Sequence, residues 1–393
     1  MPRKSNKKRD DGRIAVQVYI GKTPEGKRKY KTVYGKTQKE ADAKADEIRL
    51  KIRKGIDVSA ANDIFGKWAA DWIKIKASEV SKKRCDSYKN AVNHLNRYLE
   101  DVQVSKIRTA DIQIVITDLS EKNPYTERPT SRGTLQIIKI AANQIFRLAI
   151  DNRVIDYNPA PAVRIPADAK SKRRQSLSKE QQQWIVETPH RAQRAAMLMM
   201  YAGLRRGELV SLMWGDISLD DKTISVNRAA ESVNGKFVIK DSAKTDAGIR
   251  RIDIPKKLVD FLKAEYKESV YVCVNTKGQM HSESSWKTMW RSYLNDLNLK
   301  YGDFDFLEKT PKSKFDPSGI PFVIPKITPH QLRHTFATLL YLSGVDILNA
   351  KEQMGHADIK TTLEIYTHLD SEHKRKSMDK LDEYLNASRV QVK

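Results

Sequence analysis

The chain has 393 residues, enough for two or three domains with cores of their own, and 72 Lys and Arg against 49 Asp and Glu leave a net charge of +23. Such an excess asks for a polyanionic partner, most simply nucleic acid, with a basic ribosome-associated factor as the plainer alternative. The two distant cysteines, Cys85 and Cys273, argue against a disulfide scaffold or zinc ribbon, and no apolar run reaches membrane length or makes a signal core after Met1-Pro2-Arg3-Lys4, so a cytoplasmic, bacterial or phage-encoded protein is expected.

Residues 1–57 form the first expected unit. Lys4, Lys7, Lys8 and Arg9 make a basic arm. Ile14, Val16, Val18 and Ile20 alternate with other residues, which is strand periodicity, and 21–26 reads as a turn. Lys27 to Tyr34 returns as a second strand of basic residues alternating with aromatic or aliphatic ones. Thr37-Gln38-Lys39-Glu40 has capping-box spacing and opens a helix that should stop near Gly55. A small sheet bearing Arg13, Arg28, Lys29 and Lys31 can enter a DNA groove; the plainer reading is a small basic packing module. Gly21-Lys22-Thr23 and Gly35-Lys36-Thr37 end like phosphate-binding loops. Val16 and Tyr30 stand where each loop needs its first glycine, so ATP binding is not expected and no cofactor is implied.

From 58 to 168 the pattern turns helical. Ile64, Trp68, Trp72 and Ile75 recur at three to four residues, as do Tyr88, Val92, Leu95 and Tyr98. Thr109 should cap a third helix running to Leu119. Thr134 to Ile150 gives a fourth, with Leu135, Ile138, Ala142, Ile145 and Leu148 on one stripe. Four or five such helices make a bundle. Its polar faces carry Lys82, Lys83, Arg84, Lys89, Arg132 and Lys139, either solvated backs or a face laid on DNA phosphates. Asn158-Pro159-Ala160-Pro161 should end the bundle, and 167–174 is expected to be a basic linker.

The third unit spans 169–393. Ser178-Lys179-Glu180-Gln181 caps its first helix, Arg191 to Tyr201 is apolar on one side, and Gly203 breaks the run. Leu204-Arg205-Arg206-Gly207-Glu208-Leu209 follows, with Glu208 one turn from Arg205 and able to pair with it. Short alternating runs at 223–226, 237–240 and 249–252, separated by turn residues, predict a small antiparallel sheet. Lys244-Thr245 precedes the Ala247-Gly248 turn, and residues 298–327 read as an inserted loop. Thr328, Pro329 and Gln331 then start a helix with a capping box. His330 and Arg333 are expected to face outward together from its N-terminus, a seat for a phosphate. Gly355-His356 and Tyr366 come next. A tyrosine among Arg and His, with no metal ligands nearby, points to a nucleophile aimed at a phosphodiester. His330 and His334 have zinc-protease spacing, but Gln331 replaces the Glu base. Ser371 to Asn386 reads as a last helix, either a cap on its own domain or a latch on a neighbouring subunit.

Gly203-Leu204-Arg205-x-x-Glu208-Leu209, His330-x-x-Arg333, Gly355-His356 and Tyr366 together resemble the signature of the tyrosine recombinases, the integrases of phages and mobile elements. Ala202 stands where threonine is usual. The resemblance implies an α+β multidomain chain. A small β-sheet-plus-helix domain for arm-type sites would occupy 1–57, a helical-bundle core-binding domain 58–168, and a mainly helical catalytic domain with a small antiparallel sheet 169–393. It implies Arg205 and Arg333 on the non-bridging oxygens, supported by Glu208, with His330 as general base. Lys244 becomes the proton donor, with Lys240 as runner-up, His356 a partner of the phosphate or the nucleophile, and Tyr366 the nucleophile. Neither metal nor ATP is required. Implied partners are double-stranded DNA with core and arm sites, a homotetramer on that DNA, an excisionase and a host DNA-bending protein. A chromosome-dimer resolvase or type IB topoisomerase shares this chemistry. A DNA-binding regulator that kept the fold without the activity is the reading from another class.

Overall fold

The computed structural model describes residues 11–22, 26–58, 62–169, 175–240, 248–265, 269–307, 313 and 319–366. The chain is helix-rich with small antiparallel sheets, and it divides into two units, Met1–Arg173 and Arg174–Lys393.

In the first unit, β1 (Ile14–Lys22) and β2 (Arg28–Gly35) form an antiparallel pair beside α1 (Gln38–Arg53). Ile14, Val16 and Val18 bury one face against Ala41 and Ala45, whose small side chains let the helix approach. Thr37 caps α1 by accepting the Glu40 amide at 3.2 Å, while the Glu40 carboxylate takes the Lys36 amide at 2.8 Å instead of closing the box. Side chains alternate along a strand, so β2 divides the expected DNA-binding cations. Lys31 pairs with Val18 in register, so it and Lys29 fall on the helix side; Arg28 shares the outer face with Tyr30, Thr32 and Tyr34. There Tyr30 meets Tyr19 edge-to-face at 5.7 Å, each 47% exposed, and the Arg13 guanidinium sits 5.3 Å from the Tyr34 ring while paired with Asp11.

The same unit holds a bundle of α2 (Phe65–Glu79), α3 (Lys82–Leu99), α4 (Thr109–Glu121) and α5 (Arg132–Asp151). The buried stripe of α2 is Phe65, Trp68, Ala69 and Trp72; Ile64 and Ile75, expected in the stripe, lie exposed on its flanks. Thr109 does not cap α4. Arg108 holds that position, and the Thr109 hydroxyl donates to the Pro159 carbonyl at 3.0 Å. Nor does the bundle end at Pro161. Residues 159–169 run back over it, with Ala160, Val163 and Ala169 buried in its core. Lys139 donates to the carbonyls of Pro161 and Val163, Arg132 to that of Pro166, and Gln113 exchanges two hydrogen bonds with the Arg164 backbone. Two cations read as candidate DNA ligands therefore hold the chain's own backbone. Lys82, Lys83 and Arg84 stay exposed in the first turn of α3.

The second unit opens with α6 (Lys179–Glu187), capped by a reciprocal Ser178–Gln181 box, and α7 (Gln193–Tyr201). Every residue of α7 from Gln193 to Met200 is buried, so its polar groups need internal partners. Gln193 donates to the carbonyls of Ile185 and Val186, and Arg194 to those of Val272 and Glu265. After α8 (Arg206–Val210), β3 (Ile217–Ser218), β4 (Thr223–Val226) and β7 (Arg250–Asp253) form a sheet in the order β3-β4-β7. Here β5 (Ala229–Val233) and β6 (Lys236–Lys240) pair as a separate hairpin, so the one expected sheet is two. α9 (Lys256–Ala264) and α10 (Glu283–Tyr301) come next, followed by α11 (Pro329–Leu342), α12 (Ile347–Met354) and α13 (Ile359–Tyr366). The start of the expected insert, 298–301, belongs to α10, and its end is anchored. Asn298 donates to the Pro321 carbonyl and accepts the Val323 and Ile324 amides, while Ile324 and Ile327 enter the core. The expected helix at 371–386 lies outside the described residues.

Candidate active site

Gly203 sets the geometry. Its φ of +62° is a left-handed conformation that side chains resist, and a Cβ there would fall 2.3 Å from Cδ1 of Phe336. The turn it makes places Arg205 at the N-cap of α8, where the Arg205 amide donates to the Glu208 carboxylate at 2.8 Å. Thr328 and Gln331 cap α11 reciprocally, as read.

Three guanidinium groups converge on Glu208. Arg250 binds it as a fork, Nη1 to Oε1 and Nη2 to Oε2, both at 3.0 Å. Arg205 reaches Oε1 with Nη1 at 2.6 Å, and Nη1 of Arg333 lies 4.0 Å from Oε2. The same arginines also close the end of α12. The Gln353 carbonyl accepts Arg250 Nε at 3.0 Å, the Met354 carbonyl accepts Arg333 Nη2, and the Gly355 carbonyl accepts Arg205 Nη2 at 2.6 Å. The last carbonyls of a helix lack intrahelical partners and carry the negative end of its dipole, so three cations in a row suit them. The Gly203 carbonyl takes Arg333 Nη1.

Burial decides which arginine is presented. The side chains of Glu208, Arg250 and Arg333 are 5%, 6% and 5% exposed, that of Arg205 42%. Three cations around one carboxylate leave the cluster with an excess of two positive charges, open at Arg205. Burial pushes the Glu208 carboxyl up, but the hydrogen bonds and charge of Arg250, then the charges of Arg205 and Arg333, hold it down at about 2. Burial and the two neighbouring arginines bring Arg333 down to about 9, against the pull of Glu208, so it stays protonated at neutral pH.

His356 follows Gly355 directly. Burial, then the charges of Arg333, Arg205, Arg250 and His330, depress its imidazole to about 4, so it is neutral beside the cations. Its Nδ1 lies 3.0 Å from Thr362 Oγ1. With the Thr362 hydroxyl donating, Nε2 carries the proton and can give a hydrogen bond to an anion.

Of the residues singled out in sequence, Arg205, Glu208, Arg333 and His356 come together. His330 is exposed in the first turn of α11, but Arg333 does not face outward with it. Residues three apart differ by about 60° around a helix, enough for one to meet solvent and the other the Gly203 turn. Lys244 lies outside the described residues. Tyr366 closes α13, and its side chain lies outside the described part of the structure. Lys240 pairs with Glu231 at 2.5 Å across the β5–β6 hairpin, and Arg206 lies over the Phe237 ring at 5.4 Å. Sequence reasoning missed Arg250 as the fork on Glu208, Gln353 as its second acceptor, and Thr362. A signal for Arg250 existed: Arg250, Ile252 and Ile254 alternate, and the two isoleucines are buried.

Residues 175–373, about half of the chain, match the phage integrase family. The chain is a tyrosine recombinase of that family. Across 392 residues the recombinase is 27% identical to a XerC-like tyrosine recombinase of Caldanaerobacter subterraneus subsp. tengcongensis, covering 94% of this chain and 95% of the relative. It is also 27% identical to the ICEBs1 integrase of Bacillus subtilis over 397 residues, 97% of this chain and 100% of that one. In fold it is similar to the Tn1549 transposon integrase solved in complex with a circular intermediate DNA, with a TM-score of 0.63 at 18% identity over 81% of this chain and 99% of that one. It is also similar to the lambda integrase solved as a tetramer bound to a Holliday junction, with a TM-score of 0.53 at 19% identity over 92% of this chain and 95% of that one. Among its described residues, no helix is long and apolar enough to cross a membrane, and no group of three or more His, Cys, Asp or Glu could hold a metal ion.

Proposed function

We propose that the recombinase is a site-specific DNA integrase of a phage or integrative mobile element, cutting and rejoining double-stranded DNA through a 3′-phosphotyrosine and a Holliday junction. The observation that carries this reading is the doubly positive cluster around Glu208, open at Arg205, with neutral His356 beside it and a helix ending on Tyr366 ten residues later. A phosphodiester resists attack because its anionic oxygens repel nucleophiles and its alkoxide leaves poorly. Arg205 takes the non-bridging oxygens and Arg333 adds its charge from the buried side, and together they stabilise the charge building there. Tyr366 Oη attacks phosphorus as its proton passes to His330, the P–O5′ bond breaks, and Lys244 protonates the departing 5′ oxygen. His356 donates to a phosphoryl oxygen. The phosphotyrosyl ester conserves the bond, so a second 5′ hydroxyl can reverse the step.

We assign arm-type sites to 1–57, core sites to 58–168 and the chemistry to 169–393, on a homotetramer, with an excisionase and a host DNA-bending protein assisting excision. Lys82, Lys83 and Arg84 support the core assignment: they crowd the first turn of α3, which has no acidic residue, against the helix dipole, and a DNA phosphate would offset that cost. The likeness to a XerC-like recombinase over most of both chains favours one second reading, a chromosome-dimer resolvase. A resolvase would recombine two core sites with no arm-type sequence.

A nicked suicide DNA substrate tests the chemistry. It should trap a covalent adduct in EDTA, and Tyr366→Phe should abolish the adduct while leaving DNA affinity unchanged. An adduct that persists in the phenylalanine variant means the nucleophile is another residue.

A further inference from the structure

Arg250 has no part in the chemistry above, yet its guanidinium is the most fully engaged of the three. Both Nη groups fork onto Glu208 and Nε holds the Gln353 carbonyl. Arg205, the exposed member, is held by two acceptors, the Glu208 carboxylate and the Gly355 carbonyl. Arg250 anchors both supports, the first directly and the second through the end of α12. A second clasp strengthens the α12 link: the Gln353 side chain accepts the Asp253 amide at 3.0 Å and donates to the Asp253 carboxylate at 3.1 Å. We infer that Arg250 is a positioning residue for DNA cleavage, fixing the Glu208 carboxylate and the last turn of α12 and through them the Arg205 guanidinium and His356. The inference rests on the integrase reading. A planar fork meeting a carboxylate and a carbonyl at once is a task for arginine, since lysine brings a single point charge. The charge state agrees, because the hydrogen bonds and charge of Arg250 are the main forces opposing the burial that would protonate Glu208.

The test is single-turnover adduct formation on the suicide substrate from pH 5 to 9, with DNA affinity and Tm measured for each variant. Arg250→Met should slow cleavage about 100-fold, the scale of a misplacement near 1 Å, with DNA affinity within about threefold. Its rate should also fall at a higher pH on the acid side than that of the wild type, as Glu208 loses its main partner. Arg250→Lys should recover only part of the rate. Adding Arg250→Met to Glu208→Gln should cost no more than about threefold further, because both act on one element. Multiplying losses, a wild-type rate in Arg250→Met, or a loss that follows Tm or affinity overturns the inference. If the methionine variant does not fold, the lysine variant decides: slowed at least about tenfold while binding normally supports the role, and a wild-type rate overturns it. Failure of the integrase reading would show separately, as an adduct in the wild type that survives Tyr366→Phe.

Discussion

The imidazole Nδ1 of His356 lies 3.0 Å from the hydroxyl of buried Thr362, joining the turn after α12 to the helix that ends at Tyr366. Thr362→Val keeps the shape and removes the hydroxyl, freeing the ring to rotate and change tautomer. Adduct formation should slow about fivefold, the worth of one hydrogen bond near 1 kcal/mol, with DNA affinity unchanged. Single-turnover cleavage checks this; a wild-type rate would show that the pair does not orient His356.

Gly203→Ala should both destabilise and inactivate. The residue sits at φ +62°, and the added carbon meets the Phe336 ring at 2.3 Å. Overpacking of this kind costs about 1–3 kcal/mol, which urea unfolding would read as a lowered midpoint. The Gly203 carbonyl also holds Arg333, so cleavage should fall more than stability alone explains. Phe336→Leu in the same chain should return part of the stability. No return would mean that the backbone conformation, not the clash, sets the cost.

Acid should destabilise the fold in two steps. Burial depresses both His356 and His281 to about 4, aided by nearby arginines, against an ordinary 6.5. The unfolded chain then binds more protons between those values, so stability falls as pH drops from 6.5 toward 4. Glu208, at about 2 when folded against 4.5, contributes stability above 4.5 that is lost as pH falls toward 2. Thermal scans should show a Tm that declines below pH 6.5; a Tm that rises on acidification contradicts this.

The cations of the bundle should divide by salt dependence. Lys139 holds the carbonyls of Pro161 and Val163. Lys139→Met should therefore cost about 1–2 kcal/mol of stability and leave the salt slope of core-site binding unchanged. Exposed Lys83 should behave oppositely: Lys83→Met lowers the slope of log K on log salt by about 0.9 and, by removing a cation from the positive end of the helix dipole, costs no stability. Equal slopes for the two variants would remove the distinction.

The capping boxes at Ser178 and Thr328 were legible because a cap is written in four adjacent residues. The alternation in β1 was legible for a similar reason, since period 2 is local. The strap over the bundle was not, because what makes 159–169 ordered is a set of side chains on α4 and α5, 24 to 51 residues away in sequence. α10 escaped notice although Trp286, Trp290, Tyr293 and Leu297 have helical spacing, with only a Ser-rich start to mark it.

The sequence by itself determined the order and identity of the chemical groups: an Arg-x-x-Glu, a His-x-x-Arg, a Gly-His and a tyrosine, in a chain too basic to avoid a polyanion. It could not reveal that Arg205, Arg250 and Arg333 would share one carboxylate and three successive carbonyls, the last of them 150 residues from Arg205. Whether a charge is presented or spent on the scaffold depends on its desolvation and on which acceptors packing brings within 3 Å. Both quantities come into being only when distant segments close around them.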